Sequence, residues 1–330
     1  MEKLQSFFHD LFKEIIDVTW TLYKVMIPII IVIKVVEELG GVALLSEWLS
    51  PLMNFVGLPD EMGLVWATTL LTNMYAGLLI FMSTNSELTV AQVSILGSLM
   101  LIAHSIPIEA AIAKRAGVSI AMTTLVRVGG GLLFAWVLHQ IYQFGDLLDT
   151  PAQIVWNPEI PPEQTYLQWA WSQVENLIAI LVIIAVLLFT LKMLKLLGVE
   201  KLMAMALKPV LSVLGISREA TNLTIVGITL GISFGGGLLI NEAKRGHIPA
   251  RDVFTAVMLL NLAHSMIEDT ILVLLIGADF VTIFWGRLVF AFVVIAVMSQ
   301  ILKRISEPTC QRYLYKSCLL YTSPSPRDRY

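Results

Sequence analysis

Long apolar runs separated by short polar stretches dominate the hydrophobic pattern of this chain. An α-helix needs roughly 17–25 apolar residues to cross a bilayer. Runs of about that length predict transmembrane helices over 89–113, 118–143, 174–191, 252–276 and 279–302. Residues 15–37 are a poorer candidate for a span, because charged residues interrupt them and Pro28 would kink the helix.

Two pairs of segments have a less regular pattern: 42–56 with 62–82, and 200–214 with 219–241. The first member of each pair is short and carries charge. The second is rich in Gly, Asn, Thr and Ser, most visibly in GISFGGGLLIN at 231–241. We favour a short helix followed by a Gly-rich re-entrant or broken helix, which gives about three full spans per half. If both members of each pair crossed the bilayer, each half would have five.

The composition agrees with a membrane protein. Hydrophobic residues make up 57% of the chain and charged residues 14%, against roughly 25% charged residues in a typical soluble domain. The mean hydropathy is +0.78. The formal net charge of −3 gives no basic surface for nucleic acid. These values exclude a soluble enzyme, a disordered chain and a nucleic-acid-binding protein, and they predict an all-α polytopic membrane protein.

Lysine and arginine are distributed very unevenly, which predicts the orientation. They are absent from 35–113, 128–191 and 252–286. Because positive loops stay in the cytoplasm, we expect both termini, the AKRAG loop at 113–117 and the region 192–251 to be cytoplasmic. The linker 144–172 contains acidic residues and four prolines but no Lys or Arg, so we expect it outside.

The two halves of the chain resemble each other. An offset of 160 aligns 76–141 with 236–301 without a gap, with 14 identities in 66 positions. AGLLI matches GGLLI, AHS matches AHS, and Arg127 matches Arg287. The positive loops exchange places between the halves, as inverted repeats require. We therefore predict a first repeat at 1–143, the linker at 144–172, a second repeat at 173–305 and a C-terminal tail at 306–317.

The last residues are expected to have a different origin, the alternative being a natural Ser/Pro tail. Residues 318–328 read CLLYTSPSPRD, which is the in-frame translation of a transposase sequencing adapter. We expect 318–330 to be read-through and exclude them from reasoning about the fold. One of the two cysteines lies there, and a single remaining Cys310 supports neither a disulfide framework nor a cysteine metal site.

The two AHS segments carry the candidate chemistry. They read LIAHSIPIEAAIAKR and NLAHSMIEDTI. His104 lies about ten residues inside Lys114, or about 15 Å deep at 1.5 Å per residue, and His264 lies at the centre of its span. Ionisable side chains at such a depth are functional candidates, because burying them without a partner is costly. We expect these polar groups to converge at the midplane where the repeats meet.

The carboxylates follow each histidine closely. His264 and Glu268 are four residues apart, which would place them on one helical face. In the first half Pro107 intervenes, so the helix should break and Glu109 need not follow ideal geometry. The full set of candidate solute- or ion-binding residues is His104, Ser105, Glu109, Asn261, His264, Ser265, Glu268, Asp269, Asn73, Gly77, Gly237, Asn241, Arg127 and Arg287.

Structural alternatives exist for each group. The histidines and serines could simply form hydrogen bonds between helices, and the asparagines could cap broken half-helices. The two arginines could neutralise buried carboxylates, meet an anionic group, or snorkel to the interface. A divalent metal site is a weaker option, since no second histidine lies within helical reach of either His104 or His264.

At these residues the sequence resembles the Gate-domain family, also called nucleoside recognition domains. The duplicated GLLI segments and the two AHS spans carry the resemblance, which covers roughly 20–140 and 175–303. Gate domains also occur in concentrative nucleoside transporters, ferrous iron transport protein B and spore maturation proteins A and B. The resemblance implies a multi-pass protein of the bacterial cytoplasmic membrane with a transporter-like core. The sequence departs from the iron transporter in lacking a P-loop.

These observations lead to a permease-like protein that binds or transports a nucleoside or related solute. The histidines would serve as hydrogen-bonding or proton-coupling groups, and the carboxylates as sites for a coupling proton or sodium ion. The alternatives are a non-transporting scaffold or partner subunit, and divalent metal transport. We expect no enzymatic activity, no cofactor and no nucleic-acid partner. A homo-oligomer and a complex with another membrane protein both stay open.

Overall fold

The computed structural model describes residues 2–84, 86–154, 165–230 and 248–316. Within these ranges the regular structure is helical, with two isolated β-bridges and no strand. The prediction of an all-α polytopic membrane protein is confirmed. Gly237 and Asn241, which sequence reasoning placed in the site, and the predicted read-through 318–330 lie outside the described residues.

The helices follow the chain in a regular order. Fifteen α-helices lie in the described ranges: α1 Glu2–Glu38, α2 Gly41–Phe55, α3 Met62–Leu71, α4 Met74–Ser83, α5 Val90–Ile102, α6 Ile106–Arg115, α7 Ile120–Thr124, α8 Gly130–Gly145, α9 Tyr166–Leu196, α10 Val199–Val213, α11 Arg218–Leu230, α12 Ala250–Ala263, α13 Glu268–Leu274, α14 Arg287–Arg304 and α15 Glu307–Tyr313. A π-helical turn precedes α8 at Leu125–Gly129, and another precedes α14 at Val281–Gly286.

Six helical segments among the described residues are long and apolar enough to cross a membrane. They are Phe7–Val36, Val90–Arg115, Ile120–Gly145, Tyr166–Leu196, Ala250–Leu274 and Val281–Arg304. In the two segments that contain the AHS motifs, 78% of the most apolar window is buried, against 18–28% in the other four. The AHS segments are therefore mostly buried, and the other four expose most of their apolar surface, as lipid-facing helices do.

Two helices have boundaries that differ from those predicted from the sequence. The weak candidate 15–37 belongs to a long apolar helix despite its charges, and its Lys34 forms an ion pair with Glu38 at 3.0 Å. Helix α9 begins at Tyr166, inside the stretch expected to be linker. Thr165 and Gln168 explain this start, because each side chain accepts a hydrogen bond from the other residue's backbone N–H.

The Gly-rich segment 62–82 forms a helical hairpin. Helices α3 and α4 have ten residues each, or about 15 Å, and they pack against each other on either side of Thr72 and Asn73. A Cβ atom added at Gly77 would lie 1.7 Å from Thr69 Oγ1. Glycine at this position is therefore what allows the two half-helices to approach so closely, in agreement with the predicted broken helix.

Both AHS spans are interrupted at the motif. Helix α5 ends before His104, and α12 ends before His264. Ser105 and Ser265 both have left-handed backbone, with φ of 48° and 46°. Pro107 accounts for the first break, but the second has no proline. The expectation that His264 and Glu268 share one continuous helical face is therefore wrong.

Other backbone features recur at the predicted repeat spacing. Gly117 and Gly277 have φ of 91° and 89°, and Gly57 and Gly215 have φ of 73° and 81°. The π-helical turns lie close to matched positions, each directly before the last long helix of its half. The two halves thus follow the same local path through these segments.

The described residues form two compact units. Unit 1 comprises Met1–Ile106, Gly131–Glu200 and Ile267–Gly286. Unit 2 comprises Pro107–Gly130, Lys201–Met266 and Arg287–Tyr330, of which the structure describes residues up to 316. Each unit therefore contains one half of each interrupted span: α5 and α13 belong to unit 1, and α6 and α12 to unit 2.

The structure describes the C-terminal tail up to Lys316. Helix α15 buries Cys310, and the chain after it bonds to the loop that follows α6, with Ser119 N–H donating to the Leu314 carbonyl at 2.8 Å. Tyr315 packs on Phe254 and donates its hydroxyl to Glu307. Burial raises the pKa of the Tyr315 phenol to about 12, so it stays a hydrogen-bond donor at physiological pH.

Candidate functional site

In unit 1, the break in the first AHS span places His104 beside a carboxylate. The ring nitrogen Nδ1 lies 2.9 Å from the Met100 carbonyl, and Nε2 lies 3.8 Å from Asp269 Oδ2. Both side chains are buried. A carbonyl only accepts, so Nδ1 must carry a proton. The second nitrogen therefore faces Asp269, and this contact is favourable only if a proton lies on Nε2 or on the carboxyl group.

A second carboxylate and a phenol complete this group. The Tyr75 hydroxyl donates to Glu268 Oε1 at 3.4 Å, and Glu268 precedes Asp269 directly at the start of α13. Asp269 Oδ2 is buried and accepts no hydrogen bond from the residues that the structure describes. We refer to Tyr75, His104, Glu268 and Asp269 as the acidic cluster.

The hairpin of unit 1 is attached to the same break. Ser105 donates its backbone N–H to the Thr69 carbonyl at 3.1 Å and its hydroxyl to the Thr72 carbonyl at 2.8 Å. These carbonyls belong to the end of α3, where helices leave acceptors without partners. Asn73 accepts a hydrogen bond from Ala76 N–H at 2.9 Å and so caps α4. Ser105 thus forms hydrogen bonds to a neighbouring helix, and Asn73 caps a half-helix. These are the structural alternatives stated above for the serines and asparagines.

In unit 2, the second histidine meets a carboxylate that already has a cationic partner. Arg127 Nη1 forms an ion pair with Glu109 Oε2, and His264 Nε2 lies 3.4 Å from Glu109 Oε1. His264 Nδ1 is 2.7 Å from the Leu260 carbonyl. Arg127 has no exposed surface, so its guanidinium does not snorkel to an interface. We refer to Glu109, Arg127 and His264 as the ion-paired cluster.

Arg287 has a different role from its counterpart Arg127. It is fully buried, and it donates Nε–H to the Leu262 carbonyl at 2.8 Å and Nη2–H to the His264 carbonyl at 2.9 Å. On the other side of the break, Met266 N–H donates to the Ile228 carbonyl at 2.9 Å. These bonds replace those that an unbroken helix would supply, which explains an interruption without proline.

Arg287→Lys is expected to lower the free energy of unfolding by about 1 kcal/mol, the usual worth of one hydrogen bond. The lysine keeps the charge, but one ammonium group cannot reproduce the two directed bonds of the guanidinium fork. The thermal midpoint of the detergent-purified protein measures this change. Arg304→Lys on the same helix is the matched control, because Arg304 is exposed. Equal midpoints for the two variants would contradict the capping role.

The remaining predicted residues have separate positions. Asn261 is fully buried, with Nδ2 4.0 Å from Met258 Sδ and no hydrogen-bond partner for Oδ1 among the described residues. Ser265 lies in the second break with its left-handed backbone. Gly77 serves the packing of the hairpin. Sequence reasoning missed Tyr75, whose only signal was a hydroxyl-bearing side chain in the otherwise apolar run MYAGLLI.

Comparison with known proteins supports the membrane assignment. No protein-family profile and no solved structure matches the chain. The chain is 24% identical over 266 residues to the uncharacterized membrane protein YvoD of Bacillus subtilis (strain 168), and the match covers 78% of this chain and 83% of YvoD. With the six apolar helical segments, this likeness decides the class. The chain is an integral, multi-pass membrane protein.

Within such a protein the two clusters differ in charge. The ion-paired cluster combines one carboxylate with a guanidinium and an imidazole. The acidic cluster combines two carboxylates with one imidazole and one phenol. The carboxylate of the ion-paired cluster thus has a guanidinium partner, whereas the carboxylates of the acidic cluster have an imidazole and a phenol as neighbours.

Proposed function

We propose that the protein is a secondary permease of the bacterial cytoplasmic membrane that binds or transports a small solute, a nucleoside or a related compound. The observation that carries this proposal is the interruption of both AHS spans at a buried histidine. Discontinuous helices with ionisable groups near their breaks are typical of solute and ion sites in secondary transporters. Ionisable residues buried in membrane segments are costly and commonly mark substrate or ion pathways.

The hairpin of unit 1 supports the same function. Its tip, at Thr72 and Asn73, is bonded to the break that contains His104 and Ser105. Non-helical backbone of this kind is tolerated at membrane depth where it is buried in protein or lines a cavity. A solute held near the tip would meet hydroxyl, amide and imidazole groups within one small volume, which suits the many hydrogen-bonding positions of a nucleoside.

The solute class comes from the resemblance to Gate domains, which rests on the GLLI and AHS segments. In this proposal the histidines bind the solute or exchange protons, and the carboxylates hold the coupling ion. Orientation follows the lysine and arginine distribution, with both termini in the cytoplasm.

Ligand-induced thermal stabilisation tests the proposal. We expect a nucleoside to raise the thermal midpoint, since a ligand at 100 times its Kd stabilises the folded state by about 2.7 kcal/mol. The panel should contain nucleosides, divalent metals and small organic anions. The shift should disappear in His264→Ala and persist in His9→Ala, a matched control because His9 is exposed on α1.

The other outcomes discriminate between functions. A shift with divalent metals alone would replace the nucleoside proposal with metal transport. No shift across the panel, from protein that is folded and monodisperse, would favour a scaffold or partner subunit, and stable co-purification with a second membrane protein would support that interpretation.

A further inference from the structure

We propose that the coupling ion is a proton and that the acidic cluster of unit 1 carries it, whereas the ion-paired cluster of unit 2 does not. This inference rests on the proposed function, because it identifies the ion for the same transport cycle. Three features support it: the hydrogen-bonding geometry of His104, the difference in charge between the two clusters, and the chemical nature of their side chains.

The hydrogen bond of His104 determines which of its ring nitrogens carries a proton. With Nδ1–H donated to the Met100 carbonyl, a neutral ring presents its Nε2 lone pair to Asp269 Oδ2 at 3.8 Å. An ionised Asp269 would be repelled by that lone pair. One additional proton, on Nε2 or on the carboxyl group, makes the contact attractive in either form. The pair thus provides a place where one proton binds, on either of two atoms.

A second carboxyl group, that of Glu268, belongs to the same cluster. Glu268 precedes Asp269 in the chain and accepts the Tyr75 hydroxyl bond. Two neighbouring carboxylates in a buried site are costly to ionise together, so one of them tends to keep a proton. Tyr75 donates to Glu268 whether that group is ionised or protonated, since a carboxyl group always retains an accepting oxygen.

In the described part of the chain, anionic side chains lie on or beside the elements that pack against α13. Helix α13 packs against α5, α9 and the second π-helical turn. Asp279, just before that turn, is another acidic residue and accepts hydrogen bonds from Thr282. On α9, Glu175 is exposed and accepts a bond from Trp171, while the neighbouring Asn176 is buried and neutral.

The contrast with the ion-paired cluster assigns the role to one unit. Glu109 and Asp269 occupy matched positions in the repeat, at the offset of 160. Each lies beside the histidine of the other half of the sequence: Glu109 beside His264, and Asp269 beside His104. Glu109 is neutralised by the buried guanidinium of Arg127, which has a permanent charge. A carboxylate held in this way has little tendency to take up and release a proton during a cycle.

The nature of the groups favours a proton over sodium. Hard cations are bound by several oxygen ligands. The cluster contains two carboxylates, but its imidazole nitrogen and its phenol, which donates its hydrogen, suit a proton better. Imidazole and carboxyl groups are the usual members of proton relays within membranes.

Infrared difference spectroscopy between acidic and neutral pH, on the full chain without added solute, tests the assignment. We expect the wild type to show the carbonyl stretch of a protonated, buried carboxyl group, and we expect Asp269→Asn or Glu268→Gln to lose it. Glu87→Gln, which removes an exposed carboxylate of the same unit, should leave the band unchanged. Both cluster variants keep the shape of the side chain, and monodispersity confirms their folding.

Three results would overturn the inference. The band could be absent from the wild type, it could persist in both cluster variants, or it could disappear only in Glu109→Gln. A sodium-dependent rise of the thermal midpoint that is lost in Asp269→Asn would instead identify sodium. Because no solute is present, the outcome is independent of the nucleoside panel, so failure here and failure of the proposed function are distinguishable.

Discussion

Replacing Arg127 by methionine is expected to lower the free energy of unfolding by about 3–5 kcal/mol, the usual cost of leaving one member of a buried ion pair without its partner. Arg127 is fully buried, and its partner Glu109 is nearly so. Methionine fills much of the same volume but leaves the Glu109 charge uncompensated. The thermal midpoint of the detergent-purified protein and its monodisperse yield both report the loss.

A second substitution separates charge from packing. In Glu109→Gln/Arg127→Met the orphaned carboxylate is gone, so most of the lost stability should return, because neutral replacements of a buried pair are often tolerated. Lys192→Met is the control. It breaks the half-exposed pair with Glu14 at 2.9 Å, which should contribute less than about 1 kcal/mol. A double variant no more stable than Arg127→Met would contradict the pairing as the source of the effect.

Gly77→Ala is expected to destabilise the hairpin by about 1–3 kcal/mol or more, the range for forcing extra atoms into a packed interior. The new Cβ would lie 1.7 Å from Thr69 Oγ1 and 2.9 Å from Thr69 Cβ, so α3 and α4 would have to separate. The thermal midpoint measures the loss. Gly129→Ala is the matched control, since its Cβ would meet only a Leu125 methyl group at 3.8 Å.

Compensation at the facing position makes this prediction specific. Thr69→Gly removes both atoms that the new Cβ would strike, although a helical glycine itself costs about 1 kcal/mol. Gly77→Ala/Thr69→Gly should therefore be more stable than Gly77→Ala alone. If the two changes were simply additive, the close approach of the half-helices would not be the reason for glycine.

The spans and the first break were predictable because both depend on local sequence. Hydropathy over some twenty residues decides whether a helix can cross a bilayer, and Pro107 interrupts a helix wherever it occurs. The broken character of 62–82 followed from its Gly and Asn content in the same way. The helical start at Tyr166 is set by the Thr165–Gln168 capping box, a local signal that prevails over the prolines before it.

The second break and the partners of the site could not be predicted in this way. The interruption at His264 depends on donors from Arg287 and on the Ile228 carbonyl, which are distant in the chain. Tyr75 and Glu268 are separated by 193 positions. The amino-acid sequence indicates the types of polar side chain and their depth within the spans. It does not determine which carboxylate lies beside each histidine or arginine.

The interleaving of the halves in the two compact units also has a consequence for biosynthesis. His104 and its partner Asp269 belong to the same unit, yet 165 residues of translation separate them. At typical rates of 5–20 residues per second, the imidazole is synthesised roughly eight to thirty seconds before that carboxylate. Unit 1 can close only late in synthesis, so the nascent first half spends that interval with a polar group awaiting its partner, a natural point for an insertase or chaperone to act.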